Sequence, residues 1–80
     1  MKVTINKNQR QINLRNHTLA VIEIAKDKAN MGIDEFTYPT PNNIDSVFAL
    51  KRKVEEETEG TVWIKHGGLS NKNYMVFRIG

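Results

Sequence analysis

The chain opens with a short alternation. Val3 and Ile5 are apolar, Thr4 and Asn6 are polar, a polar tip spans residues 7–10, and Ile12 and Leu14 then alternate again. A period of two sends successive side chains to opposite faces of a strand, so the pattern predicts an N-terminal β-hairpin. Asn16, His17 or Thr18 then offers a helix N-cap. Beyond it Leu19, Ile22, Ala25 and Ala29 recur at spacings of three, three and four, and Val21, Ile24 and Met31 widen the stripe. That is the period of a helix with one apolar face. Lys26, Asp27, Lys28 and Asn30 take the other side, and Gly32 is placed to end the helix in the left-handed conformation.

The stretch IDEFTYPTPNN breaks the pattern. Ile33 and Phe36 are expected in the core, within one short turn. The prolines exclude regular helix and keep Tyr38 and Thr40 extended. The segment reads as a rigid connector or as a proline-type ligand for an aromatic groove. A second helix is predicted from a cap at Asn42 or Asn43, with Asp45 in its first turn. Its apolar side is Ile44, Val47, Phe48, Leu50 and Val54; it runs to about Thr58 and Gly60 closes it. Lys51, Arg52 and Lys53 precede Glu55, Glu56 and Glu57 by four residues, so each pair can meet on the helix surface. The closing TVWIKHGGLSNKNYMVFRIG predicts a second hairpin. Val62, Ile64, Met75, Phe77 and Ile79 face inward, and Trp63, Lys65, Tyr74 and Arg78 face outward. Its loop exceeds the two to five residues of a tight reversal and carries a glycine hinge.

Length and composition narrow the classes. Eighty residues make one domain, with a small core that buries roughly 60% of the unfolded surface. The chain has no cysteine, so disulfides and thiolate metal sites are excluded, which fits a reducing compartment. With no bilayer-length apolar run and no signal segment, a cytoplasmic protein without membrane contact is expected. The net charge is only +3, but it is segregated. Lys2, Lys7, Arg10 and Arg15 stand without an acid in residues 1–20, and Lys65, Lys72 and Arg78 without one in residues 61–80; the acids lie between Glu23 and Glu59. Segregation of this kind makes a basic face on a nearly balanced protein.

Candidate catalytic chemistry is thin. His17 and His66 lack metalloprotease spacing, and neither Ser46 nor Ser70 sits in a nucleophile elbow. HGGL precedes a strand pattern where a phosphate loop needs a helix. Glu55, Glu56, Glu57 and Glu59 read as a solvated helix face. No enzyme, cofactor or metal is expected. Nucleic-acid chemistry is better represented. Asn42, Asn43 and Ser46 open the second helix, which carries Lys51, Arg52 and Lys53. Asparagine can pair with adenine, and arginine or lysine with guanine or phosphate. Lys65, His66, Asn71, Lys72 and Asn73 would let the hairpin loop follow a phosphate backbone. The bland counterparts are a surface helix laced with its own ion pairs and a loop that touches nothing.

From Asp45 to Ile79 the residues resemble a known family. Val47, Leu50, Lys51, Arg52, Lys53, Val54 and the acids Glu55 to Glu57, followed by Val62 and Ile64, Gly67 and Gly68, and Tyr74, Val76 and Phe77, are similar to the end of the winged-helix effector domains of bacterial response regulators. In such domains a recognition helix leads into a strand, a wing and a last strand. INLRNHTLAVIEIA resembles the strand and first helix that open them. The family's middle helix is replaced here by the proline-broken segment, and there is no receiver domain. The resemblance implies an α+β winged-helix-like fold, with an N-terminal β-hairpin, two main helices and a C-terminal hairpin wing. It implies a stand-alone double-stranded DNA-binding protein of transcription or recombination control, of phage or mobile-element type, acting alone or as a homodimer. Asn42, Asn43, Ser46, Phe48, Lys51 and Arg52 would face the major groove, with Lys53 and Lys65 on phosphates. The alternative is a small phage or plasmid protein that docks on a host protein through Tyr38, Trp63, Tyr74 and Arg78, since aromatics and arginine dominate binding hot spots. Single-stranded RNA stacked on Trp63 and Tyr74 is a third reading.

Overall fold

A computed structural model describes residues 7–69 and 71–80. It is an α+β arrangement of two helices and a three-stranded antiparallel sheet. The elements run α1 (Lys7–Asn30), β1 (Glu35–Pro39), α2 (Val47–Glu57), β2 (Val62–Ile64) and β3 (Tyr74–Ile79). The sheet order is β1-β3-β2, so the last of the three strands in chain order lies in the centre.

The expected N-terminal hairpin is corrected. Its first strand lies outside the described residues, and its second strand, Ile12 and Leu14, is helix. Asn16, His17 and Thr18, read as a cap, sit in mid-helix. Residues 7–16 are mostly good helix formers, Lys, Gln, Arg and Leu, and two alternating apolar residues are too short a run to oppose them. The buried line of α1 is Thr18, Val21 and Ala25, with Leu14 packed against the core. Leu19 and Met31, placed on the expected stripe, are exposed instead. The helix does end at Gly32 (φ 73°), where the Ile33 amide donates to the Lys28 carbonyl at 2.8 Å.

The proline segment is a strand. Tyr38 is extended, as the following proline demands, and Phe36 enters the core, stacked on Phe77 with centroids 5.4 Å apart. Ile33 stays exposed. The pairs Glu35↔Arg78, Phe36↔Phe77 and Tyr38↔Met75 set the register on one side of β3, and Val62↔Ile79, Trp63↔Arg78 and Ile64↔Phe77 set it on the other. Val62, Ile64, Met75, Phe77 and Ile79 therefore share the inner face, as their alternation predicts. They pack with Leu50 and Val54 of α2 and Val21 and Ala25 of α1.

α2 begins later than its cap signals suggest. Ser46 is the N-cap, accepting the Phe48 amide at 3.1 Å. Asn42, Asn43 and Asp45 precede it because Ile44 is buried in the core, which draws residues 42–46 into an irregular crossing. Phe48, expected on the apolar side, points to solvent. Thr58 is the C-cap, followed by positive φ at Glu59 and Gly60.

Candidate nucleic-acid interface

The surface around α2 is organised by the loop that precedes it. Three side chains of α1, spaced to share one helix face, hold that loop. Arg10 donates from Nη1 to the Ile44 carbonyl at 3.1 Å and pairs with Asp45 at 3.7 Å. Asn13 donates from Nδ2 to the Asn43 carbonyl at 2.8 Å. His17 lies between two partners: Nε2 is 2.9 Å from Asn43 Oδ1, and Nδ1 is 2.6 Å from the Tyr38 hydroxyl. A neutral ring satisfies both by donating from Nε2 and accepting at Nδ1. The His17 and Tyr38 rings meet edge to face, 5.7 Å apart. Partial burial pushes the Tyr38 hydroxyl pKa upward, because the phenolate loses water there.

This clasp changes the standing of several expected site residues. Asn43 is engaged by α1 through its carbonyl and its side chain, and Ser46 spends its hydroxyl on the cap. Asn42 remains exposed at the entry to α2. Lys51 is half-buried and paired with Glu55 at 3.0 Å. Arg52 and Lys53 are exposed and make no ion pair among the described residues. Phe48 stands one turn before Arg52, and 62% of its surface is accessible.

The hairpin loop divides similarly. Lys65 pairs with Glu35 at 3.1 Å, across the outer face of the sheet. Of its two glycines, Gly67 takes a positive φ in open space and Gly68 is packed. The Gly68 amide donates to the Lys65 carbonyl at 2.7 Å, and a Cβ on Gly68 would stand 2.8 Å from the Val76 carbonyl oxygen. The loop is therefore folded back on β3, with Leu69 packed against the core. Asn71 Oδ1 accepts the Asn73 amide at 2.8 Å, a local turn, while Lys72 and Asn73 stay exposed. Lys65, His66, Asn71 and Tyr74 line a shallow pocket beside this turn.

Tyr38 leaves the alternative partner face. It points inward to His17, opposite in direction to Trp63, Tyr74 and Arg78 on the outer face. The reason is strand parity: Tyr38 is in register with the inward-facing Met75.

No protein-family model matches the chain, and no curated protein or solved structure matches it significantly. Among the described residues no group of three or more His, Asp or Glu side chains is placed to hold a metal ion. No helix among them is long and apolar enough to cross a membrane.

Sequence reasoning missed Arg10 and Asn13 as positioning residues, and left Arg15, which it named only as part of the basic bias, out of the candidate site. Arg15 on α1 and Lys53 on α2 line the same groove. The signal for the first two was present as hydrogen-bonding residues at 10, 13 and 17, a helical spacing that an apolar-only reading passes over.

Proposed function

We propose that the protein binds double-stranded DNA sequence-specifically, as a winged-helix-like regulator of transcription or recombination. In this reading the N-terminal half of α2 enters the major groove and the hairpin loop rests on the adjacent backbone. The observation that carries it is the pairing of exposed Phe48 with exposed, unpaired Arg52 on one face of α2. Phenylalanine can pack on the thymine methyl and arginine can bond guanine in a bidentate way. Four residues of helix rise about 6 Å, close to two base-pair steps. The positive end of the helix dipole would point at the polyanion. The acids Glu55, Glu56 and Glu57 occupy the C-terminal half, which a helix docked by its N-terminus keeps out of the groove. Arg52, Lys53 and Lys72 then supply the charge, joined by Asn42.

The test is anisotropy of a labelled random duplex titrated with protein at low and moderate salt. Affinity should fall steeply with salt. Arg52→Ala, Lys53→Ala and Lys72→Ala should each weaken binding and reduce the log–log salt slope by about 1. Lys51→Ala should do neither, because Glu55 already holds that ammonium. Absence of binding at low salt sinks the proposal.

A second reading is favoured by the outer face of the sheet, which neither α1 nor α2 covers. Tyr74 is exposed there, Trp63 is half-buried, and both cations are matched by acids, Lys65 by Glu35 and Arg78 by Asp34. Arg78 Nε is buried with no hydrogen-bond partner among the described residues. A neutralised aromatic face suits a protein partner, such as a host protein, better than a polyanion. If this reading holds, Trp63→Ala and Tyr74→Ala abolish partner capture while DNA titrations are unaffected.

A further inference from the structure

Strand β1 carries a free edge. Two backbone bonds fix its ladder to β3: the Ile79 amide donates to the Asp34 carbonyl at 2.8 Å, and the Thr40 amide donates to the Asn73 carbonyl at 3.2 Å. Antiparallel hydrogen bonding alternates along a strand. Phe36 and Tyr38 therefore turn their backbone groups toward β3, while Glu35, Thr37 and Pro39 turn theirs away. These three residues are exposed, and no group among the described residues bonds their outward amides and carbonyls. The opposite edge is partly closed: the Val62 amide, which points away from β3, is taken by the Thr58 hydroxyl at 3.2 Å. Beside the β1 edge lies a cleft of about 320 Å³, lined by Lys28 of α1 and by Glu35, Phe36 and Thr37. α1 packs on the inner side of the sheet, so Lys28 reaches the edge from that side. It is half-buried and makes no ion pair among the described residues. The nearby acids are already held, Glu35 by Lys65 at 3.1 Å and Asp34 by Arg78 at 3.7 Å.

We propose that the β1 edge takes up an extended segment of a partner protein as a further antiparallel strand, with a carboxylate set against Lys28. The backbone array selects the shape of the occupant and Lys28 selects its charge. One residue of the segment exchanges two hydrogen bonds with Thr37, and the residue two places later exchanges two with Glu35. The residue two places earlier donates to the Pro39 carbonyl. The residue between the two pairing positions lies opposite Phe36 and faces inward, where Lys28 stands, so an acidic side chain is favoured there. A second copy of β1 fits this edge poorly. Paired about Thr37, it would set Pro39, which has no amide, opposite the Glu35 carbonyl. It would also bring Tyr38, whose hydroxyl is bound to His17, to the position facing Lys28. Proline on an edge strand guards against self-pairing, and here it leaves Glu35 and Thr37 open to a different chain.

The experiment uses the full chain without DNA, so its outcome is independent of the DNA-binding reading. The probe is an acetylated and amidated Thr-Val-Thr-Glu-Thr-Val-Lys peptide, titrated into isotope-labelled protein and followed by NMR. The backbone amides of Glu35 and Thr37 should shift and gain protection from solvent exchange, while those of Val62 and Ile64 on the opposite edge should not. The same peptide N-methylated at the two threonines flanking its glutamate should fail to bind, because those amides face the Thr37 and Glu35 carbonyls. N-methylation at the glutamate itself, whose amide points away, should leave binding intact. Lys28→Ala should weaken the glutamate peptide by about two- to five-fold, the range of an exposed ion pair, and leave a glutamine version unchanged. No shift at Glu35 and Thr37 with millimolar peptide, equal binding of the two methylated forms, or a Lys28→Ala effect common to both peptides would each overturn the proposal. Protection of these amides that grows with protein concentration alone would assign the edge to a second copy and overturn it as well.

Discussion

Replacing His17 with alanine tests the clasp that positions α2. The substitution deletes two hydrogen bonds, at 2.6 Å to Tyr38 and 2.9 Å to Asn43. Each is worth about 0.5–1.5 kcal/mol net, and a stranded hydroxyl adds to the loss. Tyr38 is only half-buried, so water recovers much of that second cost. Alanine returns up to about 0.6 kcal/mol of helix propensity in the middle of α1. The balance is a destabilisation of about 2 kcal/mol, a substantial part of the roughly 5–15 kcal/mol that holds a small domain. At about 4–8 °C per kcal/mol, the melting midpoint should drop by about 8–16 °C. Circular dichroism during heating and urea titration measures both quantities. A cycle with Asn43→Ala isolates the pair: the double variant should be more stable than the sum of single losses predicts, by at least about 0.5 kcal/mol. A His17→Ala loss below about 0.5 kcal/mol, the level of an ordinary surface change, would refute the reasoning and reduce the clasp to incidental contact.

Leu50→Ala, at a fully buried position between α2 and the sheet, should cost about 2–5 kcal/mol by urea unfolding. Gly68→Ala forces a methyl against the Val76 and Lys65 carbonyls and should cost about 1–3 kcal/mol, whereas Lys72→Ala four residues on should leave the urea midpoint unchanged. The Tyr38 hydroxyl is raised by burial, so folding favours its neutral form. Its contribution is complete below the ordinary tyrosine range near pH 10 and is lost as pH climbs through the higher folded value. Urea midpoints measured into the alkaline range should fall, and Tyr38→Phe should flatten that fall.

The second half of the chain was legible because its signals are apolar and local. Val62, Ile64, Met75, Phe77 and Ile79 alternate cleanly, and each alternation survives as an inner face. Gly32 and Gly60 mark helix ends because a positive φ is cheap only there. The start of α1, residues 7–18, was misread because it docks with mixed chemistry. Its line through Arg10, Asn13 and His17 is written in hydrogen bonds to a loop, and a search for apolar period finds only the fragment Ile12–Leu14. Strand β1 was hidden for a different reason: Pro39 reads as a breaker, yet β1 is an edge strand, where a missing amide costs little. At the candidate site, residue type nominated Arg52, Lys53 and Lys72 correctly as exposed cations. It could not separate them from Lys51 and Lys65, because those two are withdrawn by partners four and thirty positions away.

The sheet order has a consequence for how the protein is made. β1 and β2 never touch; each is joined only to β3. On a ribosome that emits the chain from its N-terminus, α1, β1, α2 and β2 all emerge before residues 74–79 exist outside the tunnel. Until then neither edge has a partner, Phe36 has nothing to stack on, and the apolar sides of both helices lack the surface they close against. Assembly of the sheet is therefore a late event that waits for six residues. A stall or a premature stop anywhere before Tyr74 yields a sticky product that has no sheet and is fit for proteolysis.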